Sequence, residues 1–225
     1  MVNKRTSIPL LFFSLLLFPI ASLFAADGVI TYIIGTVQVV SGGRESSAVI
    51  GQDVFEGDIV RTGPDGLAIV QLSSAGEIKL RQSSEIGIDV SRANAATVEI
   101  RRGGLFSRVR RDFAGDFNVR SETVVAGVRG TEFFVAYGRT IDDRPDLWLC
   151  VNTGAVEVAI AGTDRSTFVR AGEGINVVAG ERLTDPRRYR WTLDLNWNMD
   201  PTVGDVIDET DLEQAYSDLL DQDYD

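Results

Sequence analysis

The chain has 225 residues, 44% of them hydrophobic and 24% charged, with 33 acidic residues against 22 basic ones and a formal net charge of −11. That length admits one domain with a proper core, with or without appendages, and the acidic balance argues against nucleic acid as a partner. There is no histidine and one cysteine, Cys150, so the usual general base, the commonest zinc ligand and any intramolecular disulfide are excluded.

At the amino terminus Lys4 and Arg5 form a short basic region, Ile8 to Phe24 is almost wholly apolar, and Ala25-Ala26-Asp27 follows. This order predicts a secretory signal peptide over residues 1–26 and an exported protein, periplasmic or at the cell surface. Membrane contact is then limited to the signal segment before cleavage, and an uncleaved anchor is the alternative. No cysteine lies near the junction, so a lipid-anchored form is not expected.

From Val29 to about Ala179 the chain reads as many short strands punctuated by glycine. Ile78 and Leu80 alternate with Glu77, Lys79 and Arg81; Ile86, Ile88 and Val90 with Glu85, Gly87 and Asp89; Val98 and Ile100 with Thr97, Glu99 and Arg101. Such alternation predicts strands with one buried and one wet face. Turn signals at Ser41-Gly42-Gly43, Pro64-Asp65-Gly66, Arg102-Gly103-Gly104 and Gly172-Glu173-Gly174 recur about every ten residues. The predicted fold class is all-β, many short antiparallel strands arranged as a β-sandwich or β-roll, ending in a short helix. Gly35-Thr36-Val37-Gln38-Val39 and Gly154-Ala155-Val156-Glu157-Val158 echo each other; two windings of one β-unit, or two unrelated turns, would explain it.

Arg101, Arg102, Arg108, Arg110, Arg111 and Arg120 crowd one interval. Arg108, Arg110 and Arg111 are candidate contacts for an anionic envelope component or an acidic partner, against a plain reading in which cross-strand carboxylates or the acidic tail pair them. The stretch Val124 to Val135 places Gly127 and Gly130 around Arg129 among strand-forming residues. Two glycines there predict a tight corner with positive φ or close backbone approach, carrying Arg129 and Glu132 between buried strands, with Phe133 beyond it. Arg129 either bonds turn carbonyls and Glu132 or is exposed as a contact point. Gly138 to Asp146 reads as an exposed loop, and Cys150, within Leu147-Trp148-Leu149-Cys150-Val151, as a small buried hydrophobe.

Beyond Gly180 the composition changes. Tyr189, Trp191, Leu193, Leu195 and Trp197 form one alternating set suited to an extended covering segment, although Trp191 and Leu195 also fit a helix. Thr210-Asp211-Leu212-Glu213 reads as a capping box before an amphipathic helix bearing Leu212, Ala215, Tyr216, Leu219 and Leu220. The predicted division is residues 1–26 signal, 27–180 all-β domain and 181–225 carboxy-terminal extension. Residues from Asp200 on contain no base and are expected to be dispensable for folding but to matter for association.

Ala126-Gly127-Val128-Arg129-Gly130-Thr131-Glu132-Phe133, with Gly51-Gln52-Asp53-Val54-Phe55-Glu56-Gly57-Asp58-Ile59-Val60-Arg61-Thr62 and Leu67-Ala68-Ile69-Val70-Gln71-Leu72, resembles the FecR domain family. The resemblance runs weakly to about Gly180. It implies an all-β, extracytoplasmic, mostly non-enzymatic sensing or interaction domain, often attached to a cytoplasmic anti-sigma segment and a membrane span. Only a few residues precede the apolar run, so the expectation is an exported FecR-type module without that segment.

No Gly-x-Ser-x-Gly, phosphate loop or helix-borne carboxylate pair occurs, so no enzyme, cofactor or metal site is predicted. Asp208, Glu209, Asp211 and Glu213 lack the spacing and turn glycine of a calcium loop and read as a solvated acidic face. The expected function is non-catalytic binding of an envelope protein or glycan. The alternatives are an envelope scaffold, or a component of a signalling system that acts through a partner.

Overall fold

The alternating segments bury their apolar faces by passing back and forth between two packed sheets. The computed structural model describes residues 26–73, 75–92, 95–128, 130–141 and 144–221; the signal segment and Arg129 lie outside the described residues. In chain order the strands are β1 (Gly28–Ile34), β2 (Val37–Ser41), β3 (Arg44–Ser47), β4 (Asp53–Val54), β5 (Ile59–Thr62), β6 (Leu67–Leu72), β7 (Gly76–Leu80), β8 (Glu85–Arg92) and β9 (Ala95–Val109). They continue as β10 (Asp116–Arg120), β11 (Val124–Val128), β12 (Glu132–Ile141), β13 (Arg144–Thr153), β14 (Ala155–Ile160), β15 (Ser166–Arg170), β16 (Glu173–Val178), β17 (Arg182–Leu183) and β18 (Arg187–Arg188). Two helices follow, α1 (Trp191–Asp194) and α2 (Leu212–Asp221).

Sheet A runs β4-β1-β6-β7-β9-β12-β13-β16, with β17 and β18 both pairing β16. Sheet B runs β3-β2-β5-β8-β9-β10-β11-β14-β15. The long β9 belongs to both: its first half pairs β8 and its second half pairs β7 and β12. The crossing falls at Gly103, φ 84°, where a Cβ would lie 2.5 Å from the Cα of Ser84, so only glycine lets the strand pass from one layer to the other. All pairings are antiparallel except β9 with β10, which is parallel.

This is the all-β two-layer architecture the strand pattern predicts. The echo between residues 35–39 and 154–158 corresponds to equivalent windings. In each, a strand of sheet A (β1 or β13) turns at glycine into a strand of sheet B (β2 or β14). The chain then forms a hairpin with the next strand and returns to pair with the first strand, as β4 on β1 and β16 on β13. The core lies between the layers and joins Val39, Val60, Ile88, Val98, Phe117 and Val158 of sheet B to Val70, Ile78, Leu105, Phe133, Val135 and Leu149 of sheet A.

Three expectations change. Gly138 to Asp146 is not a loop: β12 and β13 continue through it, pairing Arg139 with Asp146 and Ile141 with Arg144. The set at 189–197 does not form a strand. Tyr189 and Leu195 are buried and Leu193 points outward at 79% exposure, because the short helix α1 breaks the alternation. The cap of α2 is Asp211, whose Oδ1 accepts the amides of Glu213 at 3.0 Å and Gln214 at 3.1 Å, whereas Thr210 donates its hydroxyl to Asp208.

Candidate interaction site

The two sheets differ in what lies on their outer faces. Strands of sheet A are apolar on both sides, as in Phe133-Phe134 of β12 and Leu147 to Val151 of β13, and such a strand must be covered twice. The second cover is the extension from Tyr189 on. Phe106, Phe134, Trp148 and Cys150 of the sheet pack with Tyr189, Leu195, Met199, Ala215, Tyr216 and Leu219 of the extension. The rings form an edge-on series, with Phe134 5.3 Å from Trp148, Trp148 5.9 Å from Tyr189 and Phe106 5.3 Å from Trp197. A smaller patch seats Val206 on Leu67 and Ile69. The acidic tail is thus a strap across sheet A that buries Met199, Val206, Ala215, Tyr216 and Leu219, whereas the inter-sheet core is built from residues ahead of it.

A row of cations crosses the same face. Lys79 Nζ donates to the carbonyls of Asn196 at 2.6 Å and Asn198 at 2.8 Å and sits 4.2 Å above the Phe106 ring. Arg81 donates from Nη2 to the carbonyls of Asp208 at 3.1 Å and Thr210 at 2.8 Å, and its Nε lies 3.1 Å from Asp208 Oδ2. Arg108 joins Glu77 at 2.6 Å and Glu132 at 2.8 Å and reaches the carbonyl of Trp197 at 3.1 Å. Five strap carbonyls are therefore held by three side chains of the sheet. Asp208 completes the seam: its Oδ1 accepts the amide of Asn196 at 2.8 Å. Lys79 is wholly buried and Arg81 only 4% exposed. Burial drives the Lys79 ammonium down to about 8, against attraction from Asp208, and lowers the Arg81 guanidinium from its ordinary value. The same burial pushes the Cys150 thiol up to about 12, which makes it inert where it lies.

Of the residues singled out from sequence, Arg108 and Glu132 meet on this seam, with Asn152 also donating to Glu132. Arg110 and Arg111 lie outside it: both are exposed, Arg110 pairs with Asp112 at 2.7 Å, and Arg111 packs beside Gly130. Gly130, φ 60°, is the corner between β11 in sheet B and β12 in sheet A. Gly127 is an ordinary strand residue of β11, with the Asn118 amide oxygen 3.4 Å from a built Cβ, so the expectation of a special backbone there is corrected. Phe133 is fully buried in the inter-sheet core. Sequence reasoning missed Lys79, Arg81 and Asp208. Lys79 and Arg81 occupy the polar positions of an alternating strand and read as wet. The signal that the face is covered lies three strands away, in the unbroken apolar run of β13.

What the fold and seam define is an all-β module whose face captures the main chain of an extended segment. Among the described residues, no group of three or more histidine, cysteine or carboxylate side chains could hold a metal ion, and no helix is long and apolar enough to cross a membrane. The family model described as FecR protein matches residues 58–157, so a FecR-type segment spans β5 through the middle of β14. No curated protein matches. The solved structures similar to this chain include a protein of Parabacteroides distasonis ATCC 8503 described as an anti-sigma factor, in crystals at 1.65 and 2.50 Å resolution. It is 20% identical, with a TM-score of 0.49, and the match covers 58% of this chain and 59% of that one, less than two thirds of its length.

Proposed function

We propose that this protein is a non-catalytic, extracytoplasmic sensing and interaction module that binds a protein of the cell envelope, as the signalling character of FecR-type segments suggests. The observation that carries this reading is the outer face of sheet A. There Lys79, Arg81 and Arg108 hold main-chain carbonyls of an extended segment among stacked aromatic rings. Side chains aimed at backbone carbonyls recognise polypeptide, which favours a protein over a glycan. Arginine suits the task because its fork offers several donors in fixed directions. No step of bond making is assigned to any residue.

The test is retention of partners from solubilised envelope fractions on the immobilised exported chain, followed by elution with a peptide matching residues 195–221. One envelope protein eluted by the peptide supports the reading. Retention of polysaccharide alone replaces it with glycan binding, self-association alone with an envelope scaffold, and no retention removes it.

A further inference from the structure

The strap and its seat are joined in an unusual way for a covering segment. After Arg188 the extension adds no strand to either sheet among the described residues. Among the described residues its backbone hydrogen bonds are local, from Thr192 to Tyr189, Leu193 to Arg190, Leu195 to Trp191, Val203 to Asp200 and Ala215 to Asp211, apart from Tyr189 to Gly172. The strap is held by side chains, so it can leave without opening a ladder. Most of its seat, on β7, β9, β12 and β13, lies within residues 58–157, whereas β16, which also packs against α2, and the strap itself lie outside the matched segment.

Two further observations bear on what the seat is for. A permanent cover needs only apolar packing, and replacing buried ion pairs with apolar residues is commonly neutral or stabilising, so buried charges point to registration of a specific segment. Lys79, Arg81 and Asp208 are such charges. Moreover the strap does not fill its seat. Beside α2 a cleft of about 200 Å³, open to solvent at its mouth, remains between Ala136, Tyr137, Arg139, Trp148, Leu212 and Tyr216.

Resting on the reading of the face as a peptide seat, we infer that the strap occupies it in cis and is exchangeable for a partner's segment. That segment is extended, supplies main-chain carbonyls to Lys79, Arg81 and Arg108, and places a carboxylate where Asp208 lies. Four residues further on it carries an aromatic side chain larger than Leu212, which enters the cleft. Exchange makes the strap an autoinhibitory occupant, and the better-filling segment is the one that displaces it.

The experiment uses the purified exported chain and fluorescent peptides of residues 195–221, one native and one with Leu212→Trp. Because neither peptide comes from an envelope fraction, its outcome is separate from whether a partner is captured there. The Asp208→Ala chain, whose own strap has lost its buried carboxylate, is expected to bind the native peptide at least tenfold more tightly than the native chain does. The Leu212→Trp peptide should bind that chain more tightly again, and adding Arg81→Gln to the seat should cost at least tenfold. Hydrogen exchange of the native chain guards against a variant that fails to fold: amides of 205–219 should exchange well ahead of those of β9 and β13. Failure of both peptides to bind a folded Asp208→Ala chain, or insensitivity to Arg81→Gln, overturns the inference. So does exchange of strap and sheets at one common rate. A dimer formed by swapped straps would also overturn it, since the occupant would then be a second copy.

Discussion

At the scale of single residues, the seam makes predictions of opposite sign for its charges. Asp208 pairs with Arg81, and both are buried. Removing one partner of a buried pair leaves the other uncompensated, at a cost of about 3 to 5 kcal/mol. In Asp208→Ala that cost is capped by the docking free energy of the strap, because detachment returns Arg81 to water. Lys79 behaves differently. Its ammonium titrates at about 8 in the folded protein against 10.5 ordinarily, so between those values the unfolded chain holds more protons and stability rises with pH. The penalty of burying the charge is fully present below about pH 8 and is relieved by about pH 10.5, a gain on the order of 3 kcal/mol. Denaturant melts across that window should show the rise in the native chain and its disappearance in Lys79→Met; a flat native profile would refute the assignment. The corner glycines separate in the same assay. Gly130→Ala should cost about 1 to 2 kcal/mol, since alanine is strained at φ 60° and its Cβ would meet Arg111 Cγ at 3.0 Å. Gly127→Ala should be neutral or mildly stabilising, because that position is an unstrained strand residue with room for a methyl.

At the scale of elements, legibility depended on how many faces a strand buries. Period-two alternation marked Ile86, Ile88, Val98 and Ile100 as inward, and they line the inter-sheet core. The same rule marked Lys79 and Arg81 as wet and failed, because alternation reports chemistry and not cover: a cation held by carbonyls replaces its water with protein. The helix was legible from Leu212, Ala215, Tyr216 and Leu219, three of which are buried. What it covers was not, since a contact between α2 and β13 or β16 leaves no local trace in either segment. Truncation at Arg188 tests the cover. Among the described residues the inter-sheet core has none beyond Leu183, so the shortened chain should keep the circular dichroism of a β-protein. Phe106, Phe134 and Trp148 would be bare, so it should bind an apolar dye and self-associate. The thiol of Cys150, inert in the native chain, should label under native conditions. A truncated chain with Cys150 still protected would show that something other than the strap shields that face.

At the scale of the whole molecule, the assignment of strands to two sheets, with β9 shared and β10 parallel to it, depends on pairings between segments far apart in sequence. Only the repeated Gly-x-Val-x-Val start of a winding gave notice of it. The amino-terminal boundary is a different matter, because sequence and structure bear on it separately. The basic, apolar and small-residue order predicts cleavage near Ala26, and the fold takes hold of the chain at that point. The Asp27 amide donates to the carbonyl of Val54 at 3.0 Å, its Oδ2 accepts the amide of Glu56 at 2.6 Å, and the Ser73 hydroxyl donates to the carbonyls of Ala26 at 3.0 Å and Asp27 at 2.8 Å. Two residues on, Val29 and Ile30 are already paired with Gln71 and Val70 in sheet A. A cut after Ala25 or Ala26 therefore spares β1, whereas a cut beyond Gly28 would remove pairing residues and the anchor at Asp27. We expect protein recovered from the envelope to begin at Ala26 or Asp27 by amino-terminal sequencing. We expect the chain so processed to melt within about 0.5 kcal/mol of one carrying extra residues ahead of Ala26, as for a change outside the packed structure. Recovery with Met1 intact in the membrane pellet would instead make residues 8–24 an anchor, and would hold the strap and its seat close to the bilayer.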